Sequence, residues 1–509
     1  MFVRKKRNKS GSVSVQIIDK SSGKYKVVKS LGSSKNKHEV EALYKRAIQM
    51  MPKLMNQPVL NFSYSNKDKE ILDYMSNNEI IIRTVGPELV LGKIFDSMGF
   101  GAIKEELFRD MVITRLIYPG SKLRTLDYLI RHKGLDKSVQ SIYRFLDRLN
   151  EKHKTTIEAI AYSHAKKLFK NISVVFYDMT TLYFEAEKED DLRKIGYSKD
   201  GKFNKPQIML GLLVGESGYP IGYDIFEGNT FEGNTLIPIL RKMERKYGFN
   251  NPIVVADAAL LSKTNLKRLN EQAYEFIIAG RIKNEDALVK EKILKLAKNI
   301  QNSKSFEIKK EDGSRLIVGY SSERAKKDAY NRQKGLRRLR AKLASGKLGK
   351  QHINNRGYNK FLNFDGSIKI SINEAKIKAD EQWDGLKGYI TNTKLPASRV
   401  IKHYSQLWRI EAAFRISKTD LRIRPIHHYK RRRIESHILI CFVAYSIWKE
   451  LDRLLKETKL NISTAKALRL LETVYEMRFK LPDSGIEQRQ LIKLSSEQRR
   501  LIEIISSLT

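Results

Sequence analysis

The 509-residue chain has one cysteine, three tryptophans and few acids for its size. The lone Cys441 excludes an intrachain disulfide and a cysteine-rich zinc site. It lies in the apolar run HILICFVAYSIW, where a thiol reads as core packing. No uninterrupted apolar stretch reaches the ~18 residues of a membrane helix, so no membrane partner is expected. The opening MFVRKKRNKSGSVSV is basic without an apolar h-region and does not read as a secretory signal, which makes a cytoplasmic protein the expectation. Acids number 57 against 97 lysines and arginines, a net charge of +40. Spread along a foldable sequence, that surplus points to a polyanion, nucleic acid before an acidic membrane surface.

What is present supports several cores. The chain is 41% hydrophobic, and its length implies two to four domains. Residues 12–31, SVSVQIIDKSSGKYKVVKSL, read as two short strands around SSGK. From about Leu89 to Phe169 the periodicity is helical. There SKLRTLDYLIRH and SVQSIYRFLDRL are two amphipathic helices joined by KGLD, and the second carries Arg144 and Arg148. Such a pair suits insertion into a DNA major groove, although paired short helices occur in any helical domain.

At Ser173 the pattern turns to strands. SVVFYD ends on Asp178, PQIMLGLLV and YPIGYDIF form a hairpin, and EGNTFEGNT leads into a helix capped by Asn234 or Thr235. PIVVAD ends on Asp257, followed by a helix and the strand YEFIIAG. Lys283 to Asp384 interrupts this alternation with a hairpin, a strongly basic helix around Arg337, Arg338 and Arg340, and a further strand. LKGYITN then returns to strand, and ASRVIKHYSQLWRIEAAFRISK reads as one long helix introduced by Pro396. Beyond Arg424 the chain reads as helical to its end.

Two apolar runs that each end on an aspartate draw notice. On neighbouring strands Asp178 and Asp257 would emerge at one sheet edge, where paired acids suit a hard divalent ion; singly, each is also an ordinary turn former. Glu411 supplies a third acid. On an ideal helix Tyr404, Leu407, Trp408, Glu411, Phe414, Arg415 and Lys418 share one broad face, so Glu411 is either a functional acid or the partner of Arg415 in an i,i+4 salt bridge. The order of elements favours function. It is the plan of an RNase H-like core: strand with Asp, hairpin, helix, strand with Asp, helix, strand, insertion, strand, then helix with Glu.

Three blocks, YDMTTLYFE, VVADAALLS and YSQLWRIEAAFRISKTDLRIRPIHH, carry a resemblance to bacterial insertion-sequence transposases of the cut-and-paste DDE type. The branch is the one whose last motif runs tyrosine, arginine, glutamate, lysine along one helix. The resemblance implies that Asp178, Asp257 and Glu411 are the catalytic metal ligands for two Mg²⁺ or Mn²⁺ ions. Tyr404 and Lys418 match the motif tyrosine and lysine and imply phosphate contacts. Leu407 stands where the motif has arginine, with Arg409 and Arg415 as the nearest substitutes. Ala258 and Ala259 follow the second aspartate, where relatives often have arginine. Trp383, at the border of the insertion, would either stack on an extruded base or pack at the entry to the next strand.

The implied protein binds the terminal inverted repeats of its element and target DNA, cuts and joins DNA, and works as a homodimer on paired ends, nucleoid-associated when bound. The expected organisation is a small basic β unit (1–65), a helical DNA-binding region (66–170), an RNase H-like core in two parts (171–282 and 385–430), an insertion (283–384) and a helical C-terminal region (431–509). The fold class is α/β, a mixed sheet flanked by helices. Two rivals remain. A tyrosine recombinase would use His428–Arg431 and Tyr445, but Tyr445 lies in an apolar helix. A transposase-derived DNA-binding protein without catalysis would keep the fold and lose the chemistry.

Overall fold

The computed structural model describes residues 1–55, 66–77, 80–169, 172–249, 252–257, 263–348, 352, 354, 356–365, 369–458 and 460–508. They divide into two compact units, Met1–Ile80 with Phe479–Glu487, and Ile81–Arg478 with Gln488–Thr509.

The first unit holds an antiparallel sheet of β1 (Phe2–Arg7), β2 (Val13–Asp19) and β3 (Lys26–Ser34), in that order. Helix α1 (Lys37–Leu54) follows, its Asn36 cap accepting from the His38 amide. Val15 and Ile17 alternate onto one face of β2 and pack with Val40 and Ala47 of α1. Two strands are expected here, and β1 is the third. Its run of lysine and arginine masks the pattern, as suits a charged edge strand. Helix α2 (Asn66–Asn77) also belongs to this unit.

The second unit begins with β4 (Ile81–Thr84) and the helices α3 (Lys93–Ser97), α4 (Glu106–Ile117), α5 (Lys122–Tyr128), α6 (Val139–Arg148) and α7 (Lys154–Phe169). The two amphipathic helices of the sequence are α5, which runs on through Leu129–Lys133 to a left-handed Gly134, and α6, capped by Ser138. Then come β5 (Val174–Tyr183), β6 (Gln207–Val214), β7 (Pro220–Glu227), α8 (Leu236–Tyr247), β8 (Ile253–Ala256), α9 (Lys263–Glu271) and β9 (Phe276–Gly280). These five strands lie in the order β7-β6-β5-β8-β9. The β5–β6 and β6–β7 pairs are antiparallel, β5–β8 and β8–β9 parallel. The chain is therefore α/β, with a large mixed sheet flanked by helices.

Residues 283–384 contribute α10 (Ala287–Ala297), β10 (Ser305–Lys309), β11 (Arg315–Tyr320), α11 (Ser322–Ala344), β12 (Leu362–Asp365), β13 (Lys369–Ile372) and α12 (Glu374–Glu381), and β14 (Leu386–Thr391) follows. The β10–β11 hairpin extends the main sheet, because β14 pairs antiparallel with both β9 and β11. A smaller core of Leu336, Leu339, Phe361, Leu362 and Ile377 holds the rest of the segment.

The long helix expected from Pro396 is instead broken into α13 (Ala397–Ser405) and α14 (Trp408–Arg415), continued by a wide turn at Ile416–Asp420. Between them the Gln406 and Leu407 amides reach back three residues, to His403 and Tyr404, at 3.0 Å each. The break has a packing cause: α13 lies on β8, β9 and β14, whereas α14 lies on β5 and β6, so each half follows a different part of the twisted sheet. Helix α15 (Arg431–Glu457) runs through the main core with Cys441 and Tyr445 buried, followed by α16 (Thr464–Glu472). The C-terminal region is not wholly helical. Strand β15 (Tyr475–Lys480) pairs with β4, β16 (Glu487–Leu491) follows, and α17 (Ser496–Leu508) ends the described chain. The alternation of Tyr475, Met477 and Phe479 with Glu476, Arg478 and Lys480 is a period-two signal that outweighs the helical surroundings. Among the described residues no helix is long and apolar enough to cross a membrane.

Candidate active site

Valine and aromatic side chains make β5 an interior strand: Val174, Val175, Phe176 and Tyr177 are all buried, as expected where helices cover both faces of a sheet. The parallel register with β8 runs from Val174↔Ile253 to Tyr177↔Ala256. The next residues on the two strands are Asp178 and Asp257, so the aspartates leave adjacent strands side by side. Asp178 does not end its strand. Beyond it β5 stays paired with β6 through Tyr183, while β8 stops at Ala256. The carboxylate therefore sits where the parallel pairing opens.

Half-buried Asp178 accepts from the Met179 amide at 2.7 Å and lies 3.7 Å from the Lys199 ammonium. Burial raises its pKa most, and Lys199 and the Met179 amide oppose the rise, while Glu232 and Asp257 add repulsion. Lys199 also reaches Glu232 at 2.7 Å and donates to the Met179 carbonyl at 2.8 Å. Glu232 belongs to the EGNT repeat, read from sequence only as a turn and cap. Thr235 does hold the cap position of α8, but its hydroxyl donates to the Glu232 carbonyl and accepts from Tyr177.

Asp257 is exposed. The Tyr404 hydroxyl donates to its Oδ1 at 3.5 Å. Burial raises the Tyr404 pKa, and Asp257, Tyr389 and Glu411 raise it further. Tyr389 packs edge-on against Tyr404 at 5.1 Å, and the Lys387 ammonium lies 4.4 Å from the Tyr404 ring centre. Ala258 and Ala259 lie outside the described residues.

The single-face arrangement expected of Tyr404 to Lys418 is not what forms. The break at residues 405–407 turns Tyr404, Leu407, Ala413 and Phe414 inward and leaves Trp408, Glu411 and Arg415 exposed. Leu407, where the resemblance leads one to expect arginine, is thus a core position. The alternative salt bridge is absent: among the described residues Glu411 has no hydrogen bond or ion pair, with Arg415 or any other group. Arg409 is half-buried. Lys418 is largely covered and lies 3.3 Å from Asp200, which Arg424 grips from the other side at 2.5 Å.

The remaining candidates stand elsewhere. Trp383 is half-buried against the main core and lines an open cleft with Lys283, Arg324 and Lys360. Its neighbour Asp384 forms a two-bond pair with Arg332, 2.6 Å each. On α6 Arg144 is exposed, whereas Arg148 is held by Glu105 through two bonds of 2.9 Å. Tyr445, the recombinase candidate, is buried and donates to the Gly218 carbonyl at 2.7 Å. The sequence pattern does not single out Lys199, Asp200 or Lys387, whereas Glu232 lies in the EGNT repeat and Arg424 in the third block of the resemblance.

In donor chemistry, Asp178 and Asp257 fit a hard divalent cation: they are adjacent oxygen ligands whose mutual repulsion a cation would relieve. Among the described residues, however, no three of His, Cys, Asp and Glu converge closely enough to hold a metal. Glu411 does not close a three-carboxylate set with Asp178 and Asp257.

The family described as Transposase DDE domain matches residues 170–447, more than half the chain. The chain belongs to this family. No curated protein matches it. Among solved structures, this DDE transposase-family chain is similar to a piggyBac transposase synaptic complex with hairpin DNA, at 9% identity over 76% of each chain and a TM-score of 0.38. A Mos1 transposase paired-end complex with the left transposon end is 12% identical over 46% of this chain and 71% of that one, with a TM-score of 0.16. A Mos1 mariner paired-end complex with Mn is 13% identical over 47% and 77%, with a TM-score of 0.15. At such scores the assignment rests on the family match alone.

Proposed function

We propose that the chain is the transposase of a bacterial insertion sequence, binding the terminal inverted repeats of its element and catalysing divalent-metal-dependent DNA cleavage and strand transfer. The observation that carries this reading is the side-by-side emergence of Asp178 and Asp257 from parallel strands inside the family match. In this reading Asp178, Asp257 and, from α14, Glu411 hold Mg²⁺ or Mn²⁺, two ions per site. Bound there, the metal supplies Lewis-acid stabilisation of phosphate charge and a more acidic water.

The chain's own residues do the rest. Tyr404 orients the Asp257 carboxylate through its hydroxyl. Lys199 offsets the repulsion between Asp178 and Glu232 in the free protein. Lys418, Arg409 and Arg415, on the segment that carries Glu411, meet phosphates and fix the strand for reaction. Trp383 serves as a stacking platform near the cut. Helix α6, with Arg144 and Arg148, enters a groove of the end sequence, and two copies act on paired ends. The test is incubation of the purified protein with DNA carrying its element's ends. Cleavage and joining with Mg²⁺ or Mn²⁺, and none with EDTA, is the expected result.

A second reading, a transposase-derived DNA-binding protein that does not cut, is favoured by one observation: no three-carboxylate group closes among the described residues. It predicts end binding with no cleavage under any metal.

A further inference from the structure

The connection from β5 to β6, whose Lys199 reaches Asp178, leaves two aromatic rings in water. Tyr197 is 80% exposed and Phe203 54%, with ring centres 6.2 Å apart. Bonds at its base hold this tip in place. Gln207 donates to the Tyr197 and Gly228 carbonyls at 3.0 and 2.9 Å, and the Lys199 amide donates to the Thr181 hydroxyl at 3.2 Å. Exposed Lys202 stands between the rings in sequence, its ammonium 5.7 Å from the Tyr183 ring centre.

The same tip meets both charged poles of the site. Lys199 lies 3.7 Å from Asp178, while Asp200 sits between Lys418 at 3.3 Å and Arg424 at 2.5 Å. A carboxylate between two cations makes the charge-assisted bonds that a phosphate oxygen would make in the same place. Aromatic faces stack on any base, but duplex bases hide their faces from such rings.

We propose that Tyr197–Lys205 is a DNA-binding finger beside the active site that takes a strand with unpaired bases. Tyr197 and Phe203 stack on the bases, and Lys202 and the Lys418–Arg424 pair take phosphates. Asp200 fills that pair until DNA arrives. The inference rests on the proposed function and deepens it by naming the form of DNA held next to the carboxylates.

The test is fluorescence anisotropy in EDTA, with labelled duplexes of the element's end that are either blunt or carry a short single-stranded 3′ tail. The intact protein should bind the tailed duplex more tightly. The double variant Tyr197→Ala, Phe203→Ala should lose about tenfold on the tailed duplex and nothing on the blunt one. Equal losses on both, or none on either, overturn the finger. Asp200→Asn should tighten binding of both duplexes several-fold by freeing Lys418 and Arg424; unchanged or weaker binding overturns the role of Asp200. Both rings are exposed, so an unfolding midpoint equal to that of the intact protein is expected of the double variant. Because binding is read without metal, a failure of cleavage would overturn the proposed activity while leaving this comparison readable.

Discussion

Acid should loosen the helical side of the second unit, through two histidines that folding keeps neutral. His428 is 7% exposed and His437 5%, their ring centres 5.6 Å apart, and no acid is among the groups that shift them. Burial lowers the His428 pKa to about 3, with Lys122, Arg433, Arg115 and His427 adding to the drop. Burial, then Lys122, Arg115 and His428, push His437 well below its ordinary value, against its bond to the Ile423 carbonyl. In the unfolded chain both rings take protons below about pH 6.5. The unfolded state then binds more protons, so stability is complete above that pH and falls as pH drops toward the folded-state values.

Between pH 7 and 5.5 each histidine should remove about 1.25 kcal/mol, and the pair about 2.5 kcal/mol. Urea unfolding at both pH values measures this in a Trp383→Phe, Trp408→Phe background, where Trp448 on α15 is the remaining reporter. His428→Gln together with His437→Gln should remove most of the difference between the two pH values. An equal pH dependence in the presence and absence of the two histidines would refute the reasoning.

Three further outcomes follow from particular contacts. Lys122 is 5% exposed, and its ammonium has no hydrogen-bond partner among the described residues, so Lys122→Met should raise the unfolding free energy by about 1–3 kcal/mol; a loss would show that the charge is satisfied. Asp147 accepts two bonds from Arg433 and two from Arg432, tying α6 to the start of α15; Asp147→Ala should cost about 2–3 kcal/mol by urea unfolding. Arg144→Ala should weaken binding to the element's ends and lower the salt dependence by about one counterion, whereas Arg148→Ala, already tied to Glu105, should do less in the same titration.

The parts of the fold that could be read in advance are those written in local pattern. Apolar β-branched runs marked β5 and β8, a polar turn marked the β6–β7 hairpin, and the order of elements placed the two aspartates on one sheet. Local pattern failed where distant packing decided the outcome. The helix at Tyr404–Lys418 kept its periodicity in sequence, yet α13 and α14 answer to different strands, and the chain bends between them. That bend made Leu407 a core residue, while Glu411 and Arg415 stay exposed on α14. The charges around the carboxylates follow the same rule. Lys199 meets Asp178 and Glu232, and Asp200 meets Lys418 and Arg424, only after the sheet has brought separate segments together.

The central claim is that the paired aspartates and Glu411 perform metal-dependent DNA cleavage. Asp178→Asn and Glu411→Gln, assayed with Mg²⁺ or Mn²⁺ on DNA bearing the element's ends, test it most directly. Loss of cleavage in both, with end binding retained, is the predicted result. Cleavage by either variant at the rate of the intact protein would contradict the assignment.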